Sequence, residues 1–331
     1  MRVAVTKLIK IARLLLAIFG VVSLAAGSAS AQELKSVKIG IPGDSLGFGT
    51  YYIAQEAGLF TAEGIKAEFH NINADIIPAA LSTGDIEIAP LIGSISRARM
   101  AGYKLTAVAL LVDKPPFALV ARKEIGSVAA LRGKTIVSGP ANATPGVIVK
   151  YLLEKAGLSP QTDVKLLPIG PISGRVTMMR SGEADAVILS GSDALDIVTK
   201  IEGLKILVPP KDMPPQLIDG AGTSDAMLAR DPATIKKVVM ALAKANLIAS
   251  SDPVRSGALL GKYLKKPGLE KEIGQMFAES VSDGLVPTPQ LYESEAQFAS
   301  VGLGKPVTAE QIKAAWDVRI ATQIQEQLKK Q

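Results

Sequence analysis

The chain has 331 residues, 48% of them hydrophobic and 4% aromatic, with 30 glycines, 20 prolines, one histidine and no cysteine. That is globular material, long enough for two domains of typical size. The missing cysteines exclude a disulfide framework, a thiolate metal site and a lipidated cysteine, and the formal net charge of +6 has to be read together with the N-terminal stretch that supplies much of it.

Arg2, Lys7, Lys10 and Arg13 flank and precede an apolar run over 14–26, and Ala29-Ser30-Ala31 then supplies the small-x-small pattern a signal peptidase requires. Residues 1–31 are expected to be a signal peptide cleaved after Ala31; the alternative is an N-terminal anchor helix. Without its four basic residues, 33 basic side chains face 31 acidic ones. The remaining chain is nearly neutral, so no nucleic-acid partner is expected, and export without an anchor points to a periplasm.

The chain then alternates strand and helix. Val37, Ile39 and Ile41 alternate with Lys38 and Gly40, the period of a strand, which Pro42-Gly43 stops. A loop of small residues leads to Thr50, expected to cap a helix that Gly58 ends. Strands follow over 67–71, 86–92, 105–112 and 117–121, with helices over 75–83 and 94–100, the latter capped by Ser94. The 105–112 run is almost wholly apolar, as in a strand covered on both faces. A second set places strands at 134–138, 164–168, 184–189 and 204–208, with helices at 144–156, 173–181 and 192–200. The last hundred residues read as helices, starting at Asp231-Pro232 and continuing over 254–264, 270–280, 290–302 and 308–328, with Trp316 in the core. The fold class is α/β, with doubly wound architecture present twice and extra C-terminal helices.

Several motifs invite a catalytic reading. Gly43-Asp44-Ser45-Leu46 spells the block of the GDSL esterases, and Gly43, Ser45 and Gly47 fit a nucleophile elbow. A serine nucleophile needs a base, and the one histidine, His70, stands on the second strand without the Asp-x-x-His pattern of that family. No catalytic residue is assigned. The 133–135 segment lacks the first glycine of a phosphate loop, and the 220–225 segment lacks the third glycine of a dinucleotide fingerprint. One histidine and no cysteine leave no metal site, and no cofactor is expected.

What remains is a repeated unit of strand, small polar loop and helix start, at Ser45 to Thr50, Gly93-Ser94, Pro140 to Thr144, Pro171 to Ser173, and Ser190 to Ser192. Parallel strands bring such loops to one sheet edge, where open α/β sheets bind ligands, and free helix-end N–H groups suit an anion.

The run Ile53-Ala54, Gly58, Phe60 and Glu63-Gly64-Ile65 resembles a signature of the solute-binding proteins of ABC importers, in the nitrate/sulfonate/taurine and thiamine-precursor-like family. Similar segments are Ala80-Leu81 with Gly84-Asp85-Ile86, the IGSVAALRGK run at 125–134, and Met179 with Gly182-Glu183 and Asp185-Ala186. The resemblance implies two lobes of the periplasmic-binding-protein type joined by a hinge and closing on a small organic solute. It implies a membrane permease as partner, and the chain itself is expected to be a monomer. Lobe boundaries are expected at 32–118 with 224–331, and at 119–223. Where many members carry an aromatic after the Glu-x-Asp-Ala segment, this chain reads Val187-Ile188-Leu189-Ser190, so a roomier and less aromatic cleft is expected. The alternatives are a GDSL-like serine esterase and a ligand receptor for a membrane sensor. Ligand-binding residues are expected at Ser45, Leu46, Gly47, Phe48, Tyr51, Gly93 and Ser94 on one wall, and at Asn142, Ala143, Thr144, Ser190 and Ser192 on the other. Asp44 and Asp113 stand at strand ends, and their direction stays open.

Overall fold

The computed structural model describes residues 33–141 and 143–330, so the expected signal peptide and Asn142 lie outside the described residues. Strand β1 (Lys35–Ile41) pairs in parallel with β2 (Ile65–Asn71). Val37, Ile39 and Ile41 are buried and Lys38 is exposed, as the alternation requires. Strand β3 (Leu105–Val112), buried at every position, pairs with the antiparallel β9 (Asp219–Ser224). The segment expected as a strand at 86–92 contributes only bridges, Ile88 to Ile39 in parallel and Ala89 to Gly222 antiparallel. Pro90 has no N–H to extend the pairing, and the helix Ile92–Met100 begins directly after it. Those bridges join the two pairs into one sheet in the order β2, β1, 88–89, β9, β3.

The second sheet is built from β4 (Phe117–Arg122), β5 (Thr135–Ser138), β6 (Lys165–Pro168), β7 (Ala186–Ser190) and β8 (Leu204–Val208), in the order β6-β5-β7-β4-β8. Its pattern repeats that of the first sheet. In each, the fourth position holds a strand antiparallel to its neighbours, β9 in the first and β4 in the second. Each of these strands directly follows a crossing between the sheets, at 113–116 and 209–218. Because β9 is bonded to β3, residues 219–223 belong with the first sheet and not with the second, to which the expected boundary at 223 assigned them.

Both faces of the second sheet are covered. Leu119, Ala121, Ala186 and Ile188 join a buried cluster with Val147, Ile148 and Leu153 of the helix Thr144–Lys155. Ala118, Val120, Val187 and Leu189 point the other way, to Met179, Ala194 and Ile197. The first sheet packs on the C-terminal helices, chiefly Pro232–Ser251, whose Ile235, Val238, Val239 and Leu242 are fully buried; Asp231 caps it by accepting from Thr234 N at 3.0 Å. The single helix expected over 308–328 is two, Ala309–Lys313 and Arg319–Leu328. Between them, Ala107 N donates to Ala315 O and Asp317 N donates to Ala107 O, each at 2.9 Å. The sheet edge takes the backbone that would have continued the helix, and half-buried Trp316 packs edge-on against Tyr292.

Candidate functional site

The carboxyl ends of the parallel strands of both sheets open onto one cavity of about 730 Å³. Its walls come from Pro42 to Ser45, Gly47 and Phe48 after β1, Asn71 to Asp75 at the end of β2, Leu91 and Ser94 at the start of the helix Ile92–Met100, Pro140 and Ala143 to Pro145 after β5, Gly170 to Ser173 and Arg175 after β6, and Ser190 at the end of β7; Phe117 at the start of β4 and Ile218 in the second crossing complete them. Gly43 makes the first turn possible. It has φ +91°, a conformation that costs glycine least, and its carbonyl accepts from Tyr52 Oη at 2.8 Å.

Seven of the expected residues stand on the cavity wall: Ser45, Gly47, Phe48, Ser94, Ala143, Thr144 and Ser190. Ser45 caps the short turn Leu46–Phe48, accepting from Gly47 N at 3.4 Å. Ser94 is not a helix cap as expected; it sits inside Ile92–Met100, and its Oγ accepts from Arg97 Nη2 at 3.2 Å. Thr144 opens its helix, whose N-cap, Ala143, has no side chain to offer the free amides. Ser190 Oγ donates to Asp193 Oδ2 at 2.6 Å and accepts from Asp193 N at 3.3 Å, the N-cap of the helix Gly191–Lys200.

Four expected residues do not line the cavity. Leu46 is fully buried in the first core. Tyr51 is fully buried and donates its hydroxyl to Gly220 O at 2.6 Å, tying its helix to β9. Gly93 lies against the second crossing, where an added Cβ would meet Leu217 O at 2.7 Å. Ser192 is buried beneath Ser190, its Oγ 3.1 Å from the Ser190 hydroxyl. The Thr50 cap is also displaced, because the helix Gly49–Glu56 starts one residue earlier and Thr50 Oγ1 instead donates to Asn246.

Asp44 is exposed on the cavity wall. Asp113, in the first crossing, is off the wall; burial raises its carboxyl, and Oδ1 has no partner among the described residues. Asp219 beneath the floor is fully buried, its carboxyl pushed well up by desolvation against the bond it accepts from Gly220 N. Among the described residues no hydrogen bond joins Ser45 to a base, and His70 is exposed opposite Gly40 on β2.

Sequence reasoning missed Asn71, Asn73 and Asp75 on the first wall and Arg175 on the second. The polar run after β2 was a usable signal, although Asp75 was read as a helix start. Arg175 gave none, because an arginine one turn into a helix ordinarily faces water. Here it is 6% exposed. Its Nη1 donates to Ile188 O at 3.0 Å and its Nη2 to Gly170 O at 2.9 Å, holding the ends of β6 and β7 together at the cleft. Desolvation lowers its pKa, with the charge of Asp193 opposing.

The family profile described as NMT1/THI5 like matches residues 46–256. A riboflavin-binding protein, RibY, of Chloroflexus aurantiacus is 27% identical over 204 residues, 59% of this chain and 56% of RibY, so the match spans little more than half of that relative. Among solved structures, the periplasmic aliphatic sulphonate binding protein SsuA from Escherichia coli is 18% identical, with a TM-score of 0.68 over 84% of this chain and 96% of its own. The desulfurization enzyme DszB is 15% identical, with a TM-score of 0.64 over 89% of this chain and 99% of its own. At these identities the structural likeness is one of fold.

Proposed function

The chain belongs to the NMT1/THI5-like family, and from that premise we propose that it is the periplasmic solute-binding component of an ABC importer, capturing a small organic solute for a membrane permease. The observation that carries this reading is one cavity walled by the strand-end loops of both sheets together. At about 730 Å³ it is within the usual range for small-molecule sites, roughly 300–1,000 Å³. Phe48, Phe117, Leu91, Ile172 and Ile218 offer apolar surface, while Ser45, Ser94, Thr144 and Ser173 offer directional hydrogen bonds.

In this reading one lobe comprises residues 35–112 with 219–330 and the other 117–208. The two crossings at 113–116 and 209–218 form the hinge, and closure on the solute removes the cavity from water. The strand each crossing delivers into the opposite sheet supports that division. Catalysis has less support. DszB has the same fold and is an enzyme, but among the described residues the Ser45 hydroxyl is partnered by a backbone N–H alone.

A thermal-shift screen over small sulfonates, carboxylates, amides and heterocycles, riboflavin included, tests the reading. A solute at a hundred times its Kd adds about 2.7 kcal/mol to stability, and its complex is expected to show a smaller radius of gyration in solution scattering. Binding without any compaction would remove the closing receptor. Export is checked separately: mass spectrometry of the secreted protein is expected to find Gln32 as its first residue, and retention of residues 1–31 in a membrane fraction would count against it.

A further inference from the structure

Among the described residues two arginines near the cleft are buried, Arg97 and Arg175, and their surroundings differ. Arg97 Nη1 is 2.7 Å from Glu295 Oε1, and both side chains are almost wholly buried. Arg175 is as deeply buried, yet no carboxylate lies within ion-pair distance of it among the described residues. Its nearest acid in charge terms is Asp193, but that carboxylate binds Lys266 Nζ at 3.0 Å and the Ser190 hydroxyl at 2.6 Å. Of the five N–H groups of a guanidinium, backbone carbonyls accept two, and Nε has no acceptor among the described residues.

The surroundings add to the uncompensated positive charge. Arg175 is in the first turn of Ile172–Ser181, a ten-residue helix with no acidic residue in that turn and no side-chain cap from Pro171. The free amides and the positive end of the helix are therefore on the same stretch of wall, where Ile172 and Ser173 also face the cavity. A buried charge without a partner is strongly unfavourable, and an anion brought by the solute would relieve it. The other wall carries Asp44 and Asp75, both exposed, which disfavour a second negative group.

Resting on the reading of the cleft as a solute site, we infer that Arg175 is the residue that selects the solute's charge: it anchors one singly charged oxyanion end, with the amides that open its helix alongside. The apolar body of the solute then lies toward Phe48 and Phe117. A neutral solute of the same shape leaves the guanidinium uncompensated, and a dianion meets the two aspartates.

The test uses small probes matched in shape. In the full mature chain, the Arg175 Nε–H resonance, assigned through its own backbone, is followed by NMR during titration with methanesulfonate against dimethyl sulfone, and with acetate against acetamide. Saturable displacement by both anions, with the neutral partners weaker by about tenfold or more, is the expected result; sulfate is expected to bind more weakly than methanesulfonate. Arg175→Lys, which keeps the charge and loses the fork, should retain part of the preference, and Arg175→Gln should abolish it. An unmoved Arg175 resonance, or neutral probes that bind as well as the anions, would overturn the inference. If the variants fail to fold, the wild-type comparison decides alone. The two readings fail separately. A neutral solute that closes the cleft without affecting Arg175 leaves the receptor standing and removes the anchor. Anions that engage Arg175 when no solute produces closure do the reverse.

Discussion

Thr50 Oγ1 donates to Asn246 Oδ1 at 2.8 Å, a buried hydrogen bond across 196 residues of chain. Asn246 Nδ2 in turn donates to Leu111 O at 2.7 Å. One amide thus ties the first helix, the edge strand β3 and the longest C-terminal helix into one body. The C-terminal helices complete the first sheet's core through this contact and through the apolar cluster around it.

Replacing Thr50 with valine keeps the shape and removes the donor, leaving a buried acceptor unsatisfied. The loss is expected to be about 1–3 kcal/mol, measured by urea unfolding. A variant as stable as the wild type would mean that this bond is not part of what joins the C-terminal helices to the first lobe.

Two glycines two positions apart, Gly47 and Gly49, should respond differently. A Cβ on Gly49 would come within 2.7 Å of the Phe277 ring, which is fully buried, so Gly49→Ala is expected to cost about 1–3 kcal/mol by overpacking. Around Gly47 the nearest atoms are 3.8 and 3.9 Å away, and Gly47→Ala should stay within about 0.5 kcal/mol of wild type. Equal effects at the two sites would show that Gly49 does not pack against the Phe277 ring.

Burial raises the Glu295 carboxyl to about 7, against the opposing charge of Arg97 and the hydrogen bond it accepts from the Leu217 backbone. A carboxyl raised in the folded state binds more protons there than in the unfolded chain. Its stabilisation is complete below the ordinary value of 4.5 and is lost as pH rises toward 7. Over that window it should give a falling stability of up to roughly 1.4 kcal/mol per pH unit. Asp219 and Asp113 are shifted in the same direction, so the measurement is the difference between wild type and Glu295→Gln. Parallel stability curves for the two proteins would mean that Glu295 does not titrate in this range.

Ser94 and Thr144 both line the cavity, one on each wall, and glutamine at either position should fill it. Once the screen has supplied a solute, calorimetry on Ser94→Gln and Thr144→Gln is expected to show affinity reduced by tenfold or more (about 1.4 kcal/mol), with each unfolding midpoint near wild type. Undiminished affinity in both would place the solute elsewhere.

No turnover of aryl esters is expected, because among the described residues no base bonds to Ser45. Hydrolysis abolished by Ser45→Ala would restore the esterase reading.

Sequence periodicity and punctuation determined most of the elements, because both act within a turn or two of backbone. The alternation at Val37, Ile39 and Ile41, the apolar run of β3 and the Asp231-Pro232 start all report burial or capping set by near neighbours. Seven residues of the repeated loops after parallel strands also line the cavity. Tertiary structure decided the rest, because facing is settled by distant partners. Tyr51 turns inward to bond Gly220, Gly93 yields its space to the Leu217 carbonyl, and the last helix breaks where Ala107 takes its backbone. Arg175 is the clearest case. Nothing within ten residues of it marks it as buried; its place on the cleft wall follows from the carbonyls of Gly170 and Ile188, which come together only when β6 and β7 flank β5 in the finished sheet.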